Sequence, residues 1–275
     1  MIRQVFLATL FLSLDLLGVS AESAAASVPP PMPVSPVSIE TPVQPPAAPV
    51  VKSNELSKKT AILASMALAF NSGYSNGVCL GTGIEGTKQA VAAVTGAWTT
   101  SAYGMASGHT EAAMTQIKAI LSYAAGSAIA GAMMPTPKAF KLAPTTGQTF
   151  LIGSALFFMA SRFAEVKPAA KTCFFLALMA NGLQNSVTSV HTANLCRSAH
   201  FSGITSDMGT FLGQVLRGNK ENVFKLKVFA MLAASFWSGG FSSFFVTRKF
   251  TSGGLYACAA LHFLIGSYLM LSEMK

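Results

Sequence analysis

An all-α fold, a polytopic transmembrane helix bundle of two sequence-related halves with six to eight membrane segments, is what this sequence predicts, and three observations carry the expectation. Of its 275 residues 51% are hydrophobic and 11% charged, against about 25% charged in an ordinary soluble domain, so charge is too sparse to cover a water-facing surface. The 20 Phe and 13 Met fall in long apolar runs parted by short polar or basic connectors, the pattern expected when lipid is the solvent. Polar features of the first half recur, in order, in the second. The mean hydropathy of +0.49 points the same way.

Taken in order, residues 1–21 carry Arg3, an apolar stretch from Val5 to Leu17 and the small-residue pattern Val19-Ser20-Ala21, which reads as a signal or targeting peptide. Asp15 inside that stretch also suits an uncleaved anchor. Residues 22–58 form a Pro-rich linker holding nine of the thirteen prolines; each proline lacks a backbone donor, so the tract is expected to be extended and disordered. Apolar segments follow near 60–80, 90–106, 117–134, 146–164, 172–190, 200–216, 223–246 and 255–271, divided into a first repeat (59–168) and a second (169–275). A helix needs about 20 residues to cross a bilayer. The second and sixth segments are short and rich in Thr, Ser and Gly, so they either cross or form broken, re-entrant helices shielded by the others.

The repeat is read from Gly73-Tyr74-Ser75-Asn76 against Gly182-Leu183-Gln184-Asn185, a spacing of 109, from Thr95-Gly96 against Ser202-Gly203, a spacing of 107, and from Gly131 against Gly240, again 109. Paired polar interruptions in two halves point to a binding site near the bilayer midplane. Four crossings per half would make the halves parallel and three would make them inverted. With eight crossings, Lys88, Lys138, Lys141, Arg197, Arg248 and Lys249 face twelve basic residues on the side of the linker end and C-terminus; the positive-inside rule puts that richer side in the cytosol or stroma and mildly favours the parallel case.

The run Arg197-Ser198-Ala199-His200-Phe201-Ser202-Gly203-Ile204-Thr205-Ser206-Asp207-Met208-Gly209 resembles the R-x-T-H-x-T-G-x-x-T-D-x-G signature of YoaK-like multi-pass membrane proteins, a family of unknown function. Gly182-Leu183-Gln184-Asn185 is similar to its G-x-Q-N. Ala69 to Asn76 and Val94 to Thr99 resemble its A-F-N-A-G-x-x-N and V-T-G-N-x-T stretches, with Ala97, Ala199 and Ser202 departing from the pattern. The resemblance implies a membrane fold and small-molecule transport, with no established substrate.

Candidate substrate-binding residues are the polar ones in this apolar background: Asn71, Asn76, Thr95 and Thr99 in the first half, and Asn181, Gln184, Asn185, His200, Thr205 and Asp207 in the second. An ionised Asp207 at mid-membrane would cost about 2.5–3.5 kcal/mol on insertion scales, so it should face a cavity or partner, or be protonated. The plain alternative for the amides is helix-to-helix hydrogen bonding. The stripes Ser122, Gly126, Ala130 and Ser235, Gly239, Ser243 read as packing faces. His191 and His262 lack ligand spacing, so no metal or other cofactor is expected, and the dispersed Cys79, Cys173, Cys196 and Cys258 read as small apolar residues. Gly81 to Gly86 fits G-x-G-x-x-G without the strand-turn-helix context that gives that pattern meaning.

The expected function is therefore a small-solute transporter with a polar site between two repeats. Alternatives are a membrane-embedded enzyme on a lipid or isoprenoid, with Asp207 and His200 as acid and base, and a non-catalytic membrane scaffold. The expected partners are the lipid bilayer, an unknown small solute and a second copy in a homo-oligomer; nucleic acid is excluded because the basic residues are scattered over the connectors. The location is a plasma membrane or an organelle membrane, a plastid's included.

Overall fold

The computed structural model of the protein describes residues 55–81, 88–166 and 170–273. The targeting segment, most of the Pro-rich linker and the glycine-rich stretch beyond Gly81 lie outside these residues. Among them are eight α-helices and no strand, only an isolated bridge between Glu55 and Lys141. The helices are α1 (Lys58–Gly81), α2 (Thr95–Ala106), α3 (Thr110–Met133), α4 (Thr146–Ala164), α5 (Ala170–His191), α6 (Phe201–Leu216), α7 (Val223–Phe250) and α8 (Leu255–Glu273).

Local chemistry sets several boundaries. Ser57 Oγ accepts the Thr60 N–H at 3.1 Å, an N-cap for α1. The turns between α2 and α3 and between α6 and α7 each pass through a glycine with positive φ, Gly108 (+80°) and Gly218 (+95°), a conformation that a side chain would oppose. These two turns stand 110 residues apart, close to the spacing of the repeat.

Helix directions follow from contacts at both ends. The first turns of α3 and α5 meet at the Lys171–Glu111 ion pair, 3.4 Å. Tyr256 at the start of α8 donates to Glu165 at the end of α4, and Gly81 at the end of α1 faces Thr247 near the end of α7. At the opposite pole, the Phe140 N–H before α4 donates to the carbonyl of His191 at the end of α5. Thus α1, α4 and α7 run one way and α3, α5 and α8 the other. We call the pole where α1 begins end I and the other end II.

At about 1.5 Å per residue the 12 residues of α2 and 16 of α6 span roughly 18 and 24 Å, short of a bilayer core of about 30 Å. Both are doubled back: Gly104 of α2 lies against Ala113 of α3, and Phe201 and Phe211 of α6 stack on Phe236 and Phe229 of α7. Each is antiparallel to the helix after it and ends where that helix begins.

Residues 51–275 form one compact unit, and its main helix pairs join opposite halves: α1 with α7, α3 with α5, and α4 with α8. Two crossings are backbone-close. A Cβ on Gly126 would lie 1.8 Å from the Met179 carbonyl oxygen, and one on Gly239 2.0 Å from that of Phe70. The small-residue stripes therefore pack as expected, but Gly131 and Gly240 are not counterparts. Nothing lies within 4 Å of a Cβ at Gly131, whereas Gly240 abuts Gly73. The packing counterpart of Gly239 is Gly126, at a spacing of 113, because the second half is longer after its first helix.

The main core gathers Phe157, Phe174, Leu178, Leu183 and Leu255, and a second cluster Ile204, Val228, Phe229 and Leu232. Outside, Trp98, Tyr103, Trp237, Phe241, Phe245 and Tyr268 are all exposed, an apolar surface of a kind that monomeric soluble proteins seldom present. Two helices, Lys220–Phe250 and Leu255–Ser272, are long and apolar enough to cross a membrane, with mean hydropathies of 1.4 and 1.6, and only 28% of each is buried.

Candidate functional site

The predicted polar residues divide into three groups. The first is an amide and hydroxyl cluster where α1 crosses α5. Gln184 Oε1 accepts from Asn71 Nδ2 at 2.8 Å, while Gln184 Nε2 lies within reach of the Leu68 carbonyl (2.8 Å), Ser72 Oγ (2.7 Å) and Ser198 Oγ (3.0 Å). Asn181 Nδ2 donates to Ser75 Oγ at 3.1 Å and to the Ala177 carbonyl at 3.0 Å. Asn71, Asn181 and Gln184 are buried, and these bonds satisfy them within the protein.

The cluster reads the same from both helices. Ser75 and Gln184 stand 109 apart, as do Ser72 and Asn181, so the Ser75–Asn181 pair mirrors the Gln184–Ser72 pair. The hydroxyls of Ser72, Ser75, Thr188 and Ser198 were not among the expected site residues. Sequence spacing shows that Ser75 and Gln184 are counterparts; it does not show that each meets the other's neighbour.

The second group is a pair of loop tethers. Asn76 Oδ1 accepts the N–H groups of Val91 and Ala92, both at 2.7 Å, and Asn185 Oδ1 accepts the N–H of Ala199 at 3.1 Å. Each amide pulls the chain that follows its own helix back into the bundle just before the short helix begins. The tethered residues Ala92 and Ala199 are 107 apart, the spacing of Thr95-Gly96 and Ser202-Gly203.

The third group is not gathered with the amides. Thr95 and Thr99 on α2, and His200, Thr205 and Asp207 at the start of and along α6, are all exposed. The Thr205 hydroxyl is held by the Phe201 carbonyl of its own helix at 2.7 Å. Among the described residues Asp207 has no hydrogen bond or ion pair, and no bond joins it to His200. The expectation that amide, hydroxyl and carboxyl groups meet at one spot is therefore corrected: the face of α6 that carries Asp207 turns away from the bundle, and Ile204 is the residue of that helix that enters the core.

Three open cavities border these groups. One of about 800 Å³ opens at end I between α1 and α8, with Thr188, His191, Thr192 and Thr146 on its inner wall. His191 Nε2 sits 3.2 Å from Thr146 Oγ1, while its buried Nδ1 has no hydrogen-bond partner. A second of about 730 Å³, bordered by Asn71, Tyr74, Ser242 and Leu261, continues between α1, α7 and α8. A third of about 450 Å³ lies toward end II around the start of α2, with Lys88, Gln89 and Gln116 on its walls. Among the described residues no three His, Cys, Asp or Glu side chains lie together as metal ligands would, and the four cysteines are free and buried.

The model of the family described as "Protein of unknown function (DUF1275)" matches residues 64–268, so the chain belongs to that family. Neither a curated protein nor a solved structure gives a significant match.

Proposed function

We propose that this member of a family of unknown function is a multi-pass membrane carrier for a small solute, built from two inverted halves of three crossing helices each. In this reading α2 and α6 are re-entrant half-helices, and the YoaK-like resemblance describes their approaches. Support comes from the directions given above: α1, α3 and α4 are matched by α5, α7 and α8 running oppositely. The pentapeptide Phe150-Leu151-Ile152-Gly153-Ser154 also recurs as Phe263-Leu264-Ile265-Gly266-Ser267, at the 113-residue spacing of Gly126 and Gly239. Against the sequence expectation, antiparallel α1 and α5 favour inverted halves.

The observation that carries transport is an asymmetry. Inversion exchanges the α4–α5 contact with the α8–α1 contact. The first pair is closely packed and the second loosely, with the 730 and 800 Å³ cavities lying along it. A carrier that rocks one repeat against the other reverses that difference, closing α1 on α8 as α5 parts from α4. The amide cluster on the α1–α5 crossing is the pivot, which explains why its groups bond to each other.

Among described residues, Lys58, Lys59, Lys138, Lys141, Arg197, Arg217, Lys220, Lys225 and Lys227 belong to end I. Lys118, Arg162, Lys171, Arg248 and Lys249 belong to end II. The positive-inside rule then sets end I in the cytosol or stroma.

The test is flux from proteoliposomes across inorganic ions, small carboxylates and neutral polyols. Ala64→Trp, which fills the cavity between α1 and α8, should abolish the flux, and Leu121→Trp on the exposed face of α3 should leave it intact. No flux for any solute, or equal flux in both variants, overturns the reading. A second reading, a membrane scaffold, is favoured by the self-satisfied amides; it expects no flux and an unimpaired Ala64→Trp protein.

A further inference from the structure

The 450 Å³ cavity at the start of α2 is built unlike the other two. Val94 is the N-cap of α2 and its side chain makes no capping bond. The first helical bond belongs to Trp98, whose N–H donates to the Val94 carbonyl at 3.3 Å. The N–H groups of Thr95, Gly96 and Ala97 have no acceptor, and they open at the cavity wall that Gly96 and Ala97 form. A helix start of this kind concentrates donors and partial positive charge.

A second and independent observation lies across the cavity on α3. Gln116 is 92% buried by its 8% residual exposure, it lines the same space, and its amide makes no hydrogen bond. An unpaired amide in such a place costs free energy unless something meets it. Lys88 adds a cationic side chain that forms no ion pair, and Gln89 and Thr100 add further polar groups. Among the described residues no carboxylate lines the space.

The other half supplies a contrast. At the spacings of the repeat, Lys88 corresponds to Leu195, Thr100 to Asp207 and Gln116 to Phe229. There Leu195 and Phe229 pack into the second apolar cluster with Ile204. The donor-lined space thus exists in the first half only, and where its donors are missing the volume is filled.

We propose that this cavity is an anion site, in which the N–H groups of Thr95, Gly96 and Ala97, the Gln116 amide and Lys88 hold a small inorganic anion or a carboxylate. The identification of this anion as the transported solute rests on the carrier reading; its binding does not. The donors are neutral apart from Lys88, so the site recognises a compact acceptor group and takes most of its affinity from oriented dipoles.

The experiment is a thermal-unfolding titration of the full-length protein in uncharged detergent. Sodium nitrate, phosphate and acetate are the probes, at ionic strength held constant with a bulky sulfonate. A saturable rise in Tm is expected with at least one probe: nitrate or phosphate marks an inorganic ligand, acetate a carboxylate. Gln116→Leu should weaken binding about tenfold or more through loss of a hydrogen bond to a charged ligand. Lys88→Gln, at an exposed position and harmless to folding, should weaken it severalfold with less effect at high salt. No saturable shift with any probe, or the same affinity in Lys88→Gln and every folded Gln116 variant, overturns the site. Binding without flux would overturn the carrier reading alone, and flux without binding would overturn this one alone.

Discussion

Replacing Gly126 with alanine is expected to cost the folded protein about 3 kcal/mol or more, because the new methyl group meets backbone and neither helix has a rotamer to yield. The added Cβ would stand 1.8 Å from the Met179 carbonyl oxygen and 3.0 Å from the Leu183 nitrogen. Relief requires α3 and α5 to part along a crossing that also holds Gly182 against the Tyr123 carbonyl, 2.1 Å from a Cβ there. Gly131→Ala is the control on the same helix. Nothing stands within 4 Å of its Cβ, so the gain in helix propensity should stabilise by roughly 0.5–1 kcal/mol. Melting in detergent checks both signs. Equal effects at the two positions would show that α3 and α5 are not in backbone contact.

Gln184→Leu should be the next most damaging change, at about 2–4 kcal/mol if each stranded polar group costs roughly 1–3 kcal/mol at the upper end and less where a neighbour turns to a new partner. It leaves Asn71, Ser72, Ser198 and the Leu68 carbonyl without the amide that now joins them. Asn71→Leu added to it should cost less than Asn71→Leu alone, since the Asn71 amide has already lost its partner; a double-mutant cycle reads that coupling. Additive losses would mean that Asn71 and Gln184 do not act as a pair. The effect should fall on stability, because the cluster is closed to the three cavities except where Asn71 borders one.

Much of this architecture could be read from the residues. The shortness of the second and sixth apolar segments announced α2 and α6 as incomplete crossings, and the shared Gly/Asn motifs marked Asn76 and Asn185 as counterparts, which the structure shows tying equivalent loops. The repeated Phe-Leu-Ile-Gly-Ser was equally legible and fixes the 113-residue spacing that Gly131 and Gly240 obscured.

The environment of each polar group could not be read. Asn71 and Gln184 are 113 residues apart, and no local periodicity says that one amide satisfies the other. Asp207 and Ile204 sit within one turn of the same short helix, and composition does not say which of them faces the bundle. Gln116 drew no notice because a lone glutamine in a helix is ordinarily a surface residue. Its interest arises only once Val94 proves to leave the neighbouring helix uncapped.

The inverted arrangement is tested most directly by the sidedness of single cysteines introduced into the full-length protein in sealed vesicles, where the native cysteines are buried and silent. Lys138→Cys, Glu165→Cys and Asn219→Cys suffice. With three crossings in each half, an impermeant maleimide should label Lys138→Cys and Asn219→Cys from one side and Glu165→Cys from the other. Labelling of Glu165→Cys and Asn219→Cys from the same side, with Lys138→Cys opposite, is the pattern of eight crossings and would contradict the inverted halves.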